Sequence, residues 1–229
     1  MSNERFARYG AASGIAFLAL FLVGFLVFVV PNSPNADASA QDWANYYTDH
    51  RDRIQVGTLV VGVGLFFFVW FLGSLRSAIA AAEGGTGRLA SIAYGGGLLT
   101  AAFFLIAITA TAVAAYRPEE VDPNLTRALN DIGLLVGAPA AAGITALFAA
   151  TAIAGYRYGA LPAPIAGLST IAAITQPLAY GVAFTDTGVF APDGALGLFV
   201  PLLTFVIGIL AISATLARRP TASVATRTT

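Results

Sequence analysis

The 229-residue chain carries one histidine, no cysteine and twelve basic side chains, every one of them arginine. A zinc site takes three or four His, Cys or carboxylate ligands, and His50 is the sole histidine. Haem held by two histidines is excluded, and no lysine exists to form a Schiff base. Gly95-Gly96-Gly97 is followed by no Lys-Ser/Thr and preceded by no strand pattern. It reads as a place where a neighbouring helix approaches closely, not as a phosphate loop. No cofactor is expected. An enzyme would have to use His50 as a base with Asp131 or Asp186, and those side chains would have to meet. A non-enzymatic role is the primary expectation.

One polar constellation survives. His50, Arg51, Arg53 and Gln55 precede or open the second apolar stretch. Arg127, Asn130 and Asp131 open the fourth, while Gln176, Tyr180 and Asp186 close the fifth. If the stretches alternate in direction, all three groups share one side of a membrane. They could then frame an outward-facing polar pocket for a lipid or small amphiphile. His50, Arg51 and Arg53 would contact the headgroup, and Asn130, Asp131 and Gln176 would line the pocket. Gln176 stands out because its amide needs a partner in lipid. The competing structural reading has the arginines pair with Asp49, Asp52, Asp131 or lipid phosphate and close the bundle. An uncoupled transporter or channel, bent at Pro139, Pro177 and Pro201, is the functional alternative. It would need a polar path through the inner half as well. No charge falls near a span centre, which argues against an ion-coupled pump.

The elements that must position these residues follow from composition. Only 10% of positions are charged, 57% are hydrophobic, and mean hydropathy is +0.77. Soluble domains carry roughly 25% charge, and a nucleic-acid binder needs a basic surface, which a net charge of zero does not suggest. Six stretches are free of charge: Tyr9–Val30, Ile54–Leu75, Leu89–Tyr116, Ile132–Tyr156, Tyr158–Thr185 and Gly194–Ala217. Each exceeds the roughly 20 apolar residues that span a hydrocarbon core as a helix. Runs such as Phe66–Leu72 do not alternate as a barrel strand would. The expected fold is all-α: a single six-helix transmembrane domain over residues 1–217. Its spans fall near 9–30, 54–76, 89–116, 129–156, 160–185 and 194–217, followed by a short disordered tail at 218–229.

Eight arginines fall on the side of the N-terminus and four on the other, so both termini are expected to be cytoplasmic. Ala38-Ser39-Ala40 has the A-x-A form of a signal-peptidase site. The preceding apolar run of 22 residues exceeds the 7–15 of a signal peptide, so the first span is expected to remain. Within the first outer loop, Ser39–His50 predicts a short surface helix. Trp43, Tyr46, Tyr47 and His50 fall on one face of it. The preferred reading of that face is an aromatic anchor at headgroup level; the sharper one is a lid over a site. A kink is expected at Pro139.

Four short words extend the reading: Arg8 before the first span, His50-Arg51-Asp52-Arg53 closing the long outer loop, Leu75-Arg76, and Arg88-Leu89-Ala90. In these the chain resembles a group of bacterial multi-pass membrane proteins known only as a domain of unknown function, the 4386 type. The resemblance covers mainly the first half and implies architecture without activity. A bacterial cytoplasmic membrane is the expected location. The lipid bilayer is the expected partner, with a second copy or another membrane protein as further candidates.

Overall fold

The structure, a computed structural model, describes residues 3–85 and 87–218. The tail expectation for 219–229, with Arg219 and Arg227, lies outside the described residues. Among the described residues the fold is all-helical, and six helical stretches are long and apolar enough to cross a membrane. The α-helices are α1 (Asn3–Val23), α2 (Ala40–Asp49), α3 (Arg51–Glu83), α4 (Arg88–Ala114), α5 (Pro123–Leu135), α6 (Gly137–Tyr158), α7 (Ala163–Thr175) and α8 (Val200–Arg218). They pack as a closed ring: α1 touches α3, α3 touches α4, then α6, α7 and α8 follow, and α8 returns to α1. Helices α2 and α5 pack on each other at one end of this ring. Large apolar side chains such as Leu59 and Phe66 of α3 are exposed on the outside of the bundle. An apolar outside on an apolar core fits a bilayer as solvent.

The second span is longer than the charge-free run suggests. Arg76 does not end α3, which continues through a stretch rich in alanine, a strong helix former, to Glu83. Gly84, with φ at +62°, stops it. The Glu83 carboxylate then accepts the backbone N–H groups of Leu89 (2.9 Å) and Ala90 (3.0 Å), caps the start of α4 and closes the turn.

Three spans are broken where proline removes a helical donor. The fourth stretch divides at Val136, between α5 and α6. Pro139 has no N–H for the Leu135 carbonyl, so the expected kink opens one turn before the proline. After α7 the chain tightens into a 3₁₀ segment, Gln176–Ala183, at Gln176-Pro177. The last span opens as a π-helical segment, Ala195–Phe199, just before Pro201. A second π segment, Gly24–Val29, ends the first span.

Small residues set the helix approaches. A Cβ on Gly96 would sit 2.6 Å from the Gly143 carbonyl, and one on Gly143 would sit 2.7 Å from that of Gly96. So α4 and α6 cross backbone to backbone. Gly97 receives Leu72, whereas Gly95 faces open space. Gly10 and Gly14 meet Ser74, Phe71 and Ser213, all of this same chain. The core between the helices is aromatic. Phe17, Phe68, Phe148 and Phe205 are fully buried, with ring centroids 4.6 to 6.2 Å apart.

Candidate functional site

A cavity of about 230 Å³ occupies the half of the bundle on the α2 side. Its walls come from α4, α5, α6, α8 and both π segments, and include Phe25, Ile108, Gly133, Ala140 and Leu198. Phe104 and Phe205 form its deep end, their rings 5.9 Å apart and edge-to-face. Beyond Phe205 stand Phe17, Phe68 and Phe148, so the cavity is blind toward the other end of the bundle. The buried hydroxyls of Thr100, Thr151 and Ser169 donate to carbonyls of their own helices.

Helix α2 roofs the cavity. Ser39 and Asp42 form a capping box that starts it: the Asp42 N–H donates to Ser39 Oγ (3.2 Å) and the Ser39 N–H to Asp42 Oδ2 (3.2 Å). Trp43, Tyr46 and Tyr47 are only 3%, 5% and 2% exposed, and all three line the cavity. This corrects the reading of that face as a headgroup anchor. Its rings pack inward on Ile54, Ala114 and Ala115, where their apolar surface is better buried than at an interface. Tyr46 Oη donates to the Val29 carbonyl at the end of the first π segment. Tyr47 Oη donates to Asn130 Oδ1 of α5 at 3.2 Å. Burial pushes both phenols above the usual tyrosine range. The Arg53 guanidinium partly opposes the shift at Tyr46, and Tyr46 adds to the shift at Tyr47. Both phenols therefore stay neutral donors at physiological pH.

The residues expected from sequence part into two sets. Asn130 and Gln176 line the cavity, 6% and 2% exposed. Gln176 Nε2 donates to the Pro201 carbonyl (2.9 Å), which ties the 3₁₀ segment to α8 and gives the amide its partner. The others brace the roof or stand outside. Arg53 Nη2 donates to the Pro31 carbonyl (2.5 Å). Arg127 donates to the carbonyls of Ala38 and Ala36 and lies 4.0 Å from Asp131. Gln55 Nε2 donates to the Ala115 carbonyl (3.1 Å). These groups hold loop backbone that no helix satisfies. Arg51, Tyr180 and Asp186 are exposed and line no part of the cavity.

His50 ends α2 with Nδ1 3.0 Å from the Tyr46 carbonyl and its ring against that of Tyr46. No hydrogen bond joins it to Asp131 or Asp186 among the described residues. No group of three His, Cys, Asp or Glu side chains stands close enough to hold a metal ion among the described residues. The three aromatic residues of α2 were legible as one helical face, but which way that face turns depends on a tertiary contact with α5.

The cavity has an unusual polar balance. Among the described residues no charged side chain lines it. Four buried side-chain polar atoms lack a hydrogen-bond partner among the described residues: Trp43 Nε1, Arg53 Nε, Thr126 Oγ1 and Asn130 Nδ2. All four belong to α2 or to the ends of α3 and α5 that meet it. Of the four residues, Trp43 and Asn130 line the cavity; buried polar groups are normally satisfied, so these two mark it for a ligand or water. Comparison with protein families, with curated proteins and with solved structures finds no match to this chain.

Proposed function

We propose that the protein is a multi-pass membrane protein that binds a lipid or small amphiphile in this cavity without chemically altering it. The supporting observation is the shape and lining together: an apolar hollow, blind at a phenylalanine floor, with uncharged polar groups gathered under a roof helix. Such a site takes an apolar body and orients a polar head. The closed floor and the self-bonded hydroxyls favour binding over passage. Among the described residues no charged side chain reaches the cavity from the roof; Arg53 and Arg127 are spent on loop carbonyls. The test is an experimental density map of the protein extracted with its own lipid. The reading predicts continuous non-protein density below Trp43 that ends beside Asn130. A cavity filled by water alone, or closed by α2, would contradict it.

The same reading places the protein in a bacterial cytoplasmic membrane with both termini inside and the cavity in the outer leaflet. Eight arginines against four support that orientation. Because the chain has no cysteine, a single Thr187→Cys variant should react with an impermeant maleimide on intact cells, and Gly85→Cys only after lysis. The reverse pattern would invert the topology.

A further inference from the structure

The unsatisfied atoms say more about the ligand than the cavity volume does. Trp43 and Asn130 both line the cavity, and both are more than nine-tenths buried. The indole Nε1 can only donate. The Asn130 amide has two N–H positions and a carbonyl, and among the described residues it fills only the bond with Tyr47. The Tyr47 hydroxyl has already given its proton to that amide. The surplus at the roof is therefore one of donors. Among the described residues no charged side chain lines the cavity walls, and ionised groups are costly to bury without a partner. Thr58 and Thr111, the nearby wall hydroxyls, are spent on the carbonyls of Gln55 and Ala107.

We propose that the ligand is an uncharged amphiphile whose head offers a hydrogen-bond acceptor, a ketone, quinone or ester carbonyl, to Trp43 Nε1 and Asn130 Nδ2. This rests on the reading of the cavity as a binding site. The acceptor completes two buried donors that purely hydrocarbon contents would leave unpaired. The apolar body lies along Phe25, Ile108 and Leu198 toward Phe205.

The chain has two tryptophans, so Trp70→Phe leaves Trp43 as the sole tryptophan, read by excitation at wavelengths that tyrosine does not absorb. This variant in phosphatidylcholine nanodiscs is titrated with three probes of equal chain length: 2-dodecanone, dodecane and dodecanoate at pH 8. The ketone should shift Trp43 emission saturably, with half-saturation about tenfold below that of dodecane, the factor one buried hydrogen bond to an unpaired donor supplies. Dodecanoate should bind no better than dodecane. Adding Asn130→Leu should bring the ketone close to the alkane. Because that change also strands the Tyr47 hydroxyl, Trp43→Phe serves as the second variant. The thermal stabilisation conferred by the ketone should then fall toward that of the alkane. Equal binding of ketone and alkane, or preference for the carboxylate, would overturn the acceptor-head inference and leave the cavity a binding site. No response to any of the three would overturn both.

Discussion

At the scale of single residues, neighbours in sequence have separate fates. Arg51 and Arg53 look alike in the chain, two arginines on the side where arginine is disfavoured. The structure separates them. Arg53 reaches back across the roof to the Pro31 carbonyl, while Arg51 is exposed. Arg53→Ala should therefore cost about 1–2 kcal/mol of unfolding free energy, since a charged donor leaves a partly buried loop carbonyl. Arg51→Ala should stay within about 0.5 kcal/mol. Denaturant unfolding in mixed micelles measures both, and equal losses would mean that Arg53 is no brace. Gln176 was legible from its type alone, because an amide in an apolar stretch must find a partner, and it finds Pro201. The partners of Arg127 were not legible. They are the backbone carbonyls of Ala36 and Ala38, about 90 residues earlier, and carbonyls carry no sequence signature.

At the scale of elements, the six apolar stretches announce themselves because a charge is expensive in hydrocarbon. The breaks were only half visible. Pro139, Pro177 and Pro201 mark the places, but whether a span kinks, tightens to 3₁₀ or opens to a π segment depends on what packs beside it. The π segments Gly24–Val29 and Ala195–Phe199 both border the cavity, and no residue pattern in either one foretells that. The glycine triplet was readable as a packing site, yet which of its three members does the packing was not. Gly96 faces Gly143, Gly97 faces Leu72 and Gly95 faces open space. Gly96→Ala should destabilise by about 1–3 kcal/mol, the usual cost of forcing a methyl into a closed contact. Gly95→Ala should be neutral or slightly stabilising, as alanine is the better helix former. Thermal unfolding of the two variants side by side checks the pair, and an undisturbed Gly96→Ala would refute the close crossing of α4 and α6.

At the scale of the whole molecule, the fold divides into two unlike halves. One end is packed solid around Phe17, Phe68, Phe148 and Phe205. The other spreads its helices around a cavity and covers it with a ten-residue helix from the first long loop. That loop is held by Arg53, by Arg127 and by Asp193 Oδ2, which accepts the Ala36 N–H at 3.4 Å. So three separate elements fix the position of the roof, and Trp43 and Asn130, each with an unpaired buried donor, line a space the chain itself does not fill. Native mass spectrometry of the protein extracted gently from its own membrane tests this most directly. Wild type is compared with Ala107→Phe, which places a ring in the cavity wall, and with the exposed Arg51→Ala. The account predicts one defined adduct that persists in wild type and Arg51→Ala and is lost in Ala107→Phe. An adduct that Ala107→Phe retains in full, or its absence from wild type, would contradict it.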